Sequence, residues 1–148
     1  MKQPKYTLKA EQDLTVFEFI SEGPKGRISK LIEFTETNLK DFYNLAFGDK
    51  DETTGRINDR IVSNNNDTEK VLATVASAVF AFTDKYRDAW VYATGSTTSR
   101  TRLYRMGINK YFEEVEAEFY IFGELGESWL PFEKEIDFDG YVVKRKNN

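Results

Sequence analysis

Apolar residues alternate with polar ones from Thr15 onward. Val16, Phe17, Phe19 and Ile20 lead into Glu22-Gly23-Pro24-Lys25-Gly26, and Ile28, Leu31, Ile32 and Phe34 resume beyond it, which predicts a β-hairpin. Period-two alternation over Phe42-Tyr43-Asn44-Leu45-Ala46-Phe47 predicts a third strand, followed by a polar loop over 48–55. A fourth strand is expected over 56–63, against the grain of Asn58 and Asp59. The period then changes. Val71, Leu72, Val75, Ala76, Val79, Phe82, Thr83 and Tyr86 recur at helical spacing, and Asn66 with Glu69 three residues on has the spacing of a capping box. Trp90-Val91-Tyr92-Ala93-Thr94 reads as a short central strand, and Thr97 or Thr98 caps a second helix reaching about residue 116. On that helix Leu103, Tyr104, Gly107, Ile108, Tyr111, Phe112 and Val115 share one side, with Arg102 and Asn109 opposite, toward solvent. Phe119-Tyr120-Ile121-Phe122 and Gly140-Tyr141-Val142-Val143 close the pattern as two strands.

The order β-β-β-β-α-β-α-β-β predicts an α+β fold. The expectation is a mostly antiparallel twisted sheet of about six or seven strands, with two α-helices, about 67–87 and 98–116, packed on one face. The other face is left open, and the aromatic content makes it a candidate partner surface or homodimer interface. With 148 residues, 40% of them hydrophobic, the chain suffices for one domain over 1–148.

Composition narrows the chemistry. The chain has neither cysteine nor histidine, which excludes a thiol nucleophile, a Ser-His dyad and a thiolate or imidazole zinc site built from this chain alone. Acid–base work would fall to Asp, Glu, Tyr or Lys, with Arg as the electrostatic stabiliser. No metal or cofactor is assigned. Asp49, Asp51 and Glu52 lack the glycine and glutamate spacing of a calcium-binding EF-hand loop, although a carboxylate site for magnesium or calcium stays open in principle. The amino terminus lacks the apolar core of a signal peptide and no stretch has the length of a membrane span, so a cytoplasmic location, in a bacterial cytosol, is expected. The formal charge of −4 opposes indiscriminate nucleic-acid binding, but residues 100–110 contain four bases and no acid.

That basic stretch begins in Gly95-Ser96-Thr97-Thr98-Ser99-Arg100-Thr101-Arg102, where a strand ends, hydroxyls follow and arginines open a helix. Unpaired N–H groups, the positive end of a helix dipole and planar guanidinium forks suit a phosphate or carboxylate. The candidate ligand-binding residues are Ser96, Thr97, Thr98, Arg100 and Arg102. Asn66 and Asp67 join them if both helix starts lie at one sheet edge, with Asp67 then the nearest candidate base. The pattern is neither a Walker loop nor a dinucleotide fingerprint. The same residues also suit an ordinary capped helix start, with Arg100 turned inward for structural reasons.

Three features in combination carry a resemblance: Asn64-Asn65-Asn66-Asp67 followed by Lys70-Val71-Leu72-Ala73-Thr74-Val75-Ala76, then Gly95-Ser96-Thr97 with Arg100-Thr101-Arg102-Leu103-Tyr104, then Tyr141-Val142-Val143 with a basic end. The chain resembles a family of short uncharacterised bacterial proteins over nearly its whole length. The resemblance implies that the motifs belong to one domain and brings no activity with it. Three functions compete on the residues themselves. The first is a domain binding a phosphate-bearing ligand, a nucleotide or RNA, at the Gly95 to Arg105 turn. The second is a metal-independent endoribonuclease toxin of a toxin–antitoxin pair, and the third a non-enzymatic interaction or dimerisation module acting through the sheet face.

Overall fold

Alternating strands need partners on both sides and a cover for their apolar face, and the chain supplies both from its own sequence. The computed structural model describes residues 4–58, 63–94 and 98–146, and of residues 98–100 the backbone alone. In chain order the elements are β1 (Lys9–Ala10), β2 (Val16–Gly23), β3 (Gly26–Glu36), β4 (Phe42–Asp49), α1 (Thr68–Lys85), β5 (Trp90–Ala93), α2 (Thr98–Lys110), α3 (Phe112–Glu118), β6 (Phe119–Leu125), β7 (Ser128–Pro131) and β8 (Gly140–Arg145). The strands form one sheet in the order β1-β2-β3-β4-β5-β8-β6-β7. Every neighbouring pair is antiparallel except β4 and β5, which run parallel. Parallel neighbours need a long crossover, and α1 provides it.

The α+β class and the mostly antiparallel sheet agree with the sequence reading, but the counts do not: there are eight strands and three helices. The additional strands lie at the two sheet edges. β1 has only two residues, too few for a period, and β7 ends in Pro131, which an edge strand tolerates because one side of its backbone needs no partner. The expected helix over 98–116 is divided at Tyr111, whose φ of −108° and ψ of 25° leave the helical region and cap α3. Of the strand expected over 56–63, Ile57 makes a single bridge to Lys50, and residues 59–62 lie outside the described residues.

One face of the sheet carries the core. Phe17 and Phe19 of β2, Ile32 and Phe34 of β3, Leu45 and Phe47 of β4, Val91 of β5 and Tyr141 of β8 pack against Val71, Val75, Ala78 and Phe82 of α1. Phe34 and Phe82 stack with ring centroids 4.1 Å apart. A second cluster joins Leu72 and Ala73 to Tyr111 and Val115 and to Phe119 and Ile121 of β6. Alternation sends Phe42, Trp90, Tyr92, Phe122 and Val142 to the opposite face: the register pairs Phe42 with Trp90, Tyr92 with Val142 and Phe122 with Val142. No helix of the described residues is long and apolar enough to cross a membrane.

Candidate functional site

The turn expected after residue 94 falls on residues 95–97, outside the described residues, between β5 and α2. β5 ends at Ala93, and the Thr94 hydroxyl donates to the Asp139 carbonyl at 3.1 Å, joining the start of the turn to the approach to β8. Ser96 and Thr97 lie outside the described residues, and Thr98 and Arg100 are described as backbone in the first turn of α2, which has no acidic residue. Arg102 is exposed, as its helical phase requires, and forms no ion pair among the described residues.

Arg105, one turn further on, behaves differently. Its Nη2 donates to the Lys134 carbonyl at 2.9 Å and its Nη1 stands 3.7 Å from Asp137 Oδ1, so the guanidinium is anchored to the connection between β7 and β8. Its Nε is shielded from solvent and meets no acceptor among the described residues. Asn109, four residues along and hence on the same helix side, is half-buried rather than solvent-facing as its phase suggested, and its Oδ1 is shielded and undonated. Among the described residues two more such atoms are the hydroxyl of Tyr141, a residue 1% exposed, and the Nε of Arg145. Burial pushes the Tyr141 phenol above its ordinary pKa, and the Arg105 charge pulls it back. The Phe138 amide also favours the ionised form, yet falls outside full hydrogen-bond geometry. An apolar cavity of about 90 Å³ opens between α1, α2 and the sheet, with Tyr104, Gly107 and Tyr141 in its wall and neither Arg105 nor Asn109 lining it.

Asn66 and Asp67 belong to another neighbourhood. The capping box does not form: Asp67 occupies the cap position of α1 without a side-chain cap bond, and Asn66 takes a left-handed φ of 60°, its N–H donating to Asn64 Oδ1 at 2.9 Å. The Asp67 carboxylate instead accepts the Ser21 hydroxyl at 2.5 Å and the Tyr6 hydroxyl at 2.6 Å. Burial, followed by that bond to Asp67, raises the Tyr6 pKa. Asn65, 1% exposed, donates to the Gly26 carbonyl at 2.9 Å and accepts the Lys25 amide at 2.7 Å, locking the β2–β3 turn. Glu69, expected to complete the cap, pairs with Lys110 at 2.5 Å. The start of α1 therefore meets the end of α2, about 18 Å along the axis from Thr98. The two clusters expected at one edge sit at opposite ends of α2, and Asp67 ties α1 to β2 and to the chain's start.

Sequence reasoning missed three polar features. Lys30 and Asp49 form an ion pair at 2.5 Å on the core face, with side chains 2% and 11% exposed. Arg145 lies between Phe80 and Phe119, its guanidinium carbon 5.1 Å from each ring, and bonds Asp84 at 2.5 Å. On the open face the Tyr92 hydroxyl donates to Glu124 at 2.6 Å. Pairing register could have exposed the first, since Lys30 and Asp49 fall opposite each other once β3 and β4 are aligned. Among the described residues no group of three acidic side chains converges as a metal site.

Compared with known proteins, the chain matches one family model over residues 2–146, described as a family of unknown function, DUF6934. No curated protein and no solved structure matches it.

Proposed function

The chain belongs to DUF6934, a family of unknown function, and we propose that its domain binds a small ligand bearing a phosphate or carboxylate between the first turns of α2 and the start of β8. One observation carries this reading: Arg105 Nε and the Tyr141 hydroxyl, close enough for the Arg105 charge to act on the phenol, are both shielded from water and lack a partner among the described residues. An unsatisfied buried polar group costs about 1–3 kcal/mol, so these two donors represent a few kcal/mol that the acceptor oxygens of an anion would recover. Arg102, unpaired and exposed on the same helix, supplies the permanent charge. Ser96, Thr97, Thr98 and Arg100 would complete the site from the turn, with hydroxyls and backbone N–H groups toward the anion.

The test is thermal unfolding of the full chain against inorganic phosphate, nucleoside mono- and diphosphates and short carboxylic acids. A ligand at a hundred times its dissociation constant adds about 2.7 kcal/mol, which is a rise of roughly 5–11 °C for a domain of this size. Arg102→Ala and Tyr141→Phe should each keep the fold and lose most of that rise. No rise with any of these anions, or an undiminished one in both variants, refutes the site. Cleavage of a labelled RNA that disappears in Arg102→Ala would redirect the reading to a metal-independent endoribonuclease.

A further inference from the structure

The helix-free face of the sheet holds a groove of about 410 Å³ floored by β4, β5, β8 and β6 and walled by β7. Its surface is aromatic. Phe42 lies 5.9 Å from Tyr92, Trp90 lies 6.2 Å from Phe122, and Trp129 stands on edge 5.7 Å from Tyr92, all centroid to centroid. Trp129 is 43% exposed and Tyr120, at the margin, 51%. Three lysines border these rings: Lys40 lines the groove, Lys144 Nζ lies 6.0 Å over Trp90, and Lys146 Nζ lies 5.5 Å over Tyr120. None of the three pairs with a carboxylate among the described residues. The carboxylate that strand alternation places among the rings, that of Glu124, is engaged by the Tyr92 hydroxyl.

We infer that this face binds single-stranded nucleic acid, stacking its bases on the rings and setting its phosphates against the three lysines. The charge pattern selects the occupant. A two-fold pairing of this face with its own copy would bring unpaired ammonium groups toward one another, whereas a polyanion neutralises them. Flat ring faces accept any unstacked base, and a duplex, whose bases are already stacked inside, offers them nothing. The chain's charge of −4 repels a long polyanion, so the interaction is short and strongly salt-dependent. The face is opposite to that of Tyr141, so it stands independently of the ligand proposed at α2.

The chain's two tryptophans, Trp90 and Trp129, both lie here, so tryptophan fluorescence, excited at the red edge where the chain's tyrosines do not absorb, reports this face alone. Titrating the full chain with ten-residue oligo(dT) and oligo(U) should quench that emission saturably, while a blunt duplex of equal length should not. Three neutralised phosphates give a slope of log affinity against log salt near −2, a loss of roughly twentyfold between 50 and 200 mM salt. Fluorescein-labelled oligonucleotide should bind Trp129→Ala on the order of tenfold more weakly. Lys144→Gln should flatten the salt slope by about 0.7. Both side chains are surface groups, and circular dichroism checks each variant's fold. Binding unchanged in Arg102→Ala separates this face from the α2 site. Three results overturn the inference: no quenching at 200 μM oligonucleotide and 50 mM salt, equal affinity for duplex, or binding indifferent to Trp129→Ala. A dimer in sedimentation equilibrium that Trp129→Ala dissociates assigns the face to a second copy instead.

Discussion

Lys30 and Asp49 stand opposite each other in the β3–β4 register on the face that holds the core, where a charge survives only with its partner. Lys30 Nζ donates to Asp49 Oδ1 at 2.5 Å and to the Ser63 carbonyl at 2.8 Å, while the Asp49 oxygens also accept the Ser63 amide at 3.2 and 3.3 Å. Lys30→Met removes two charge-assisted bonds, each worth about 1.5–3 kcal/mol, and leaves a shielded carboxylate with one long amide contact. Breaking a buried pair on one side costs about 3–5 kcal/mol, which is at least a fifth of a typical domain's stability of roughly 5–15 kcal/mol. Asp49→Leu should fall in the same range, because the Lys30 ammonium is stranded with the Ser63 carbonyl alone. The double variant Lys30→Met/Asp49→Leu strands no charge, so it should lie within about 2 kcal/mol of the parent and far above the sum of the single losses. Urea unfolding of the four proteins with unchanged m-values gives the coupling directly. A Lys30→Met variant within 1 kcal/mol of the parent, or a double variant as unstable as the sum, would refute the reasoning.

Two further outcomes are expected. Arg145→Lys keeps the charge but loses the flat guanidinium held between Phe80 and Phe119, so it should destabilise by about 1–2 kcal/mol in urea unfolding, and a loss below 0.3 kcal/mol would contradict the stacking. Burial, with the bond to Glu124 next, pushes the Tyr92 pKa to about 12 from its ordinary 10, so the neutral phenol stabilises the fold fully below pH 10 and that contribution is lost as pH rises toward 12. Stability between pH 10 and 12 should fall less steeply in Tyr92→Phe, and a slope equal to the parent's would remove Tyr92 from the account.

Most of the fold was legible because two periods dominate the chain. Period two located β2 to β4, short apolar runs located β5, β6 and β8, and period 3.6 located α1 to within two residues at each end. The failures share a cause: they depend on what another segment brings. β7 is a strand only because β6 pairs with it, and Gly123, which register sets opposite Leu130, admits the Phe138 ring where a Cβ would lie 2.3 Å from it. The capping box was a sound local inference, but Ser21 and Tyr6 claimed Asp67 and Lys110 claimed Glu69, each from more than 35 residues away. The end of β5 and the start of α2 were legible on either side of residues 95–97, which lie outside the described residues. The shielded polar atoms of Tyr141 and Arg105 were not legible, because Tyr141 reads as an ordinary strand tyrosine and Arg105 as a solvated helix arginine.

The basic end of the chain shows how period two assigns roles that composition cannot. Lys144-Arg145-Lys146 looks like one positively charged tail, yet β8 lies inside the sheet between β5 and β6, so its successive side chains go to opposite faces. Tyr141, Val143 and Arg145 point toward the helices. There Arg145 is 4% exposed and serves packing, and Tyr141 lends its unpaired hydroxyl to the proposed anion site. Val142, Lys144 and Lys146 point the other way, into the aromatic groove and its rim. A one-residue slip of β8 would exchange the two sets, burying two ammonium groups against the core and exposing Tyr141 and Arg145. That penalty fixes the register, so one strand holds both proposed surfaces in place. It also keeps them chemically separate, with a buried phenol on one side and free ammonium groups on the other, which is why variants at Tyr141 and Lys144 should affect different ligands.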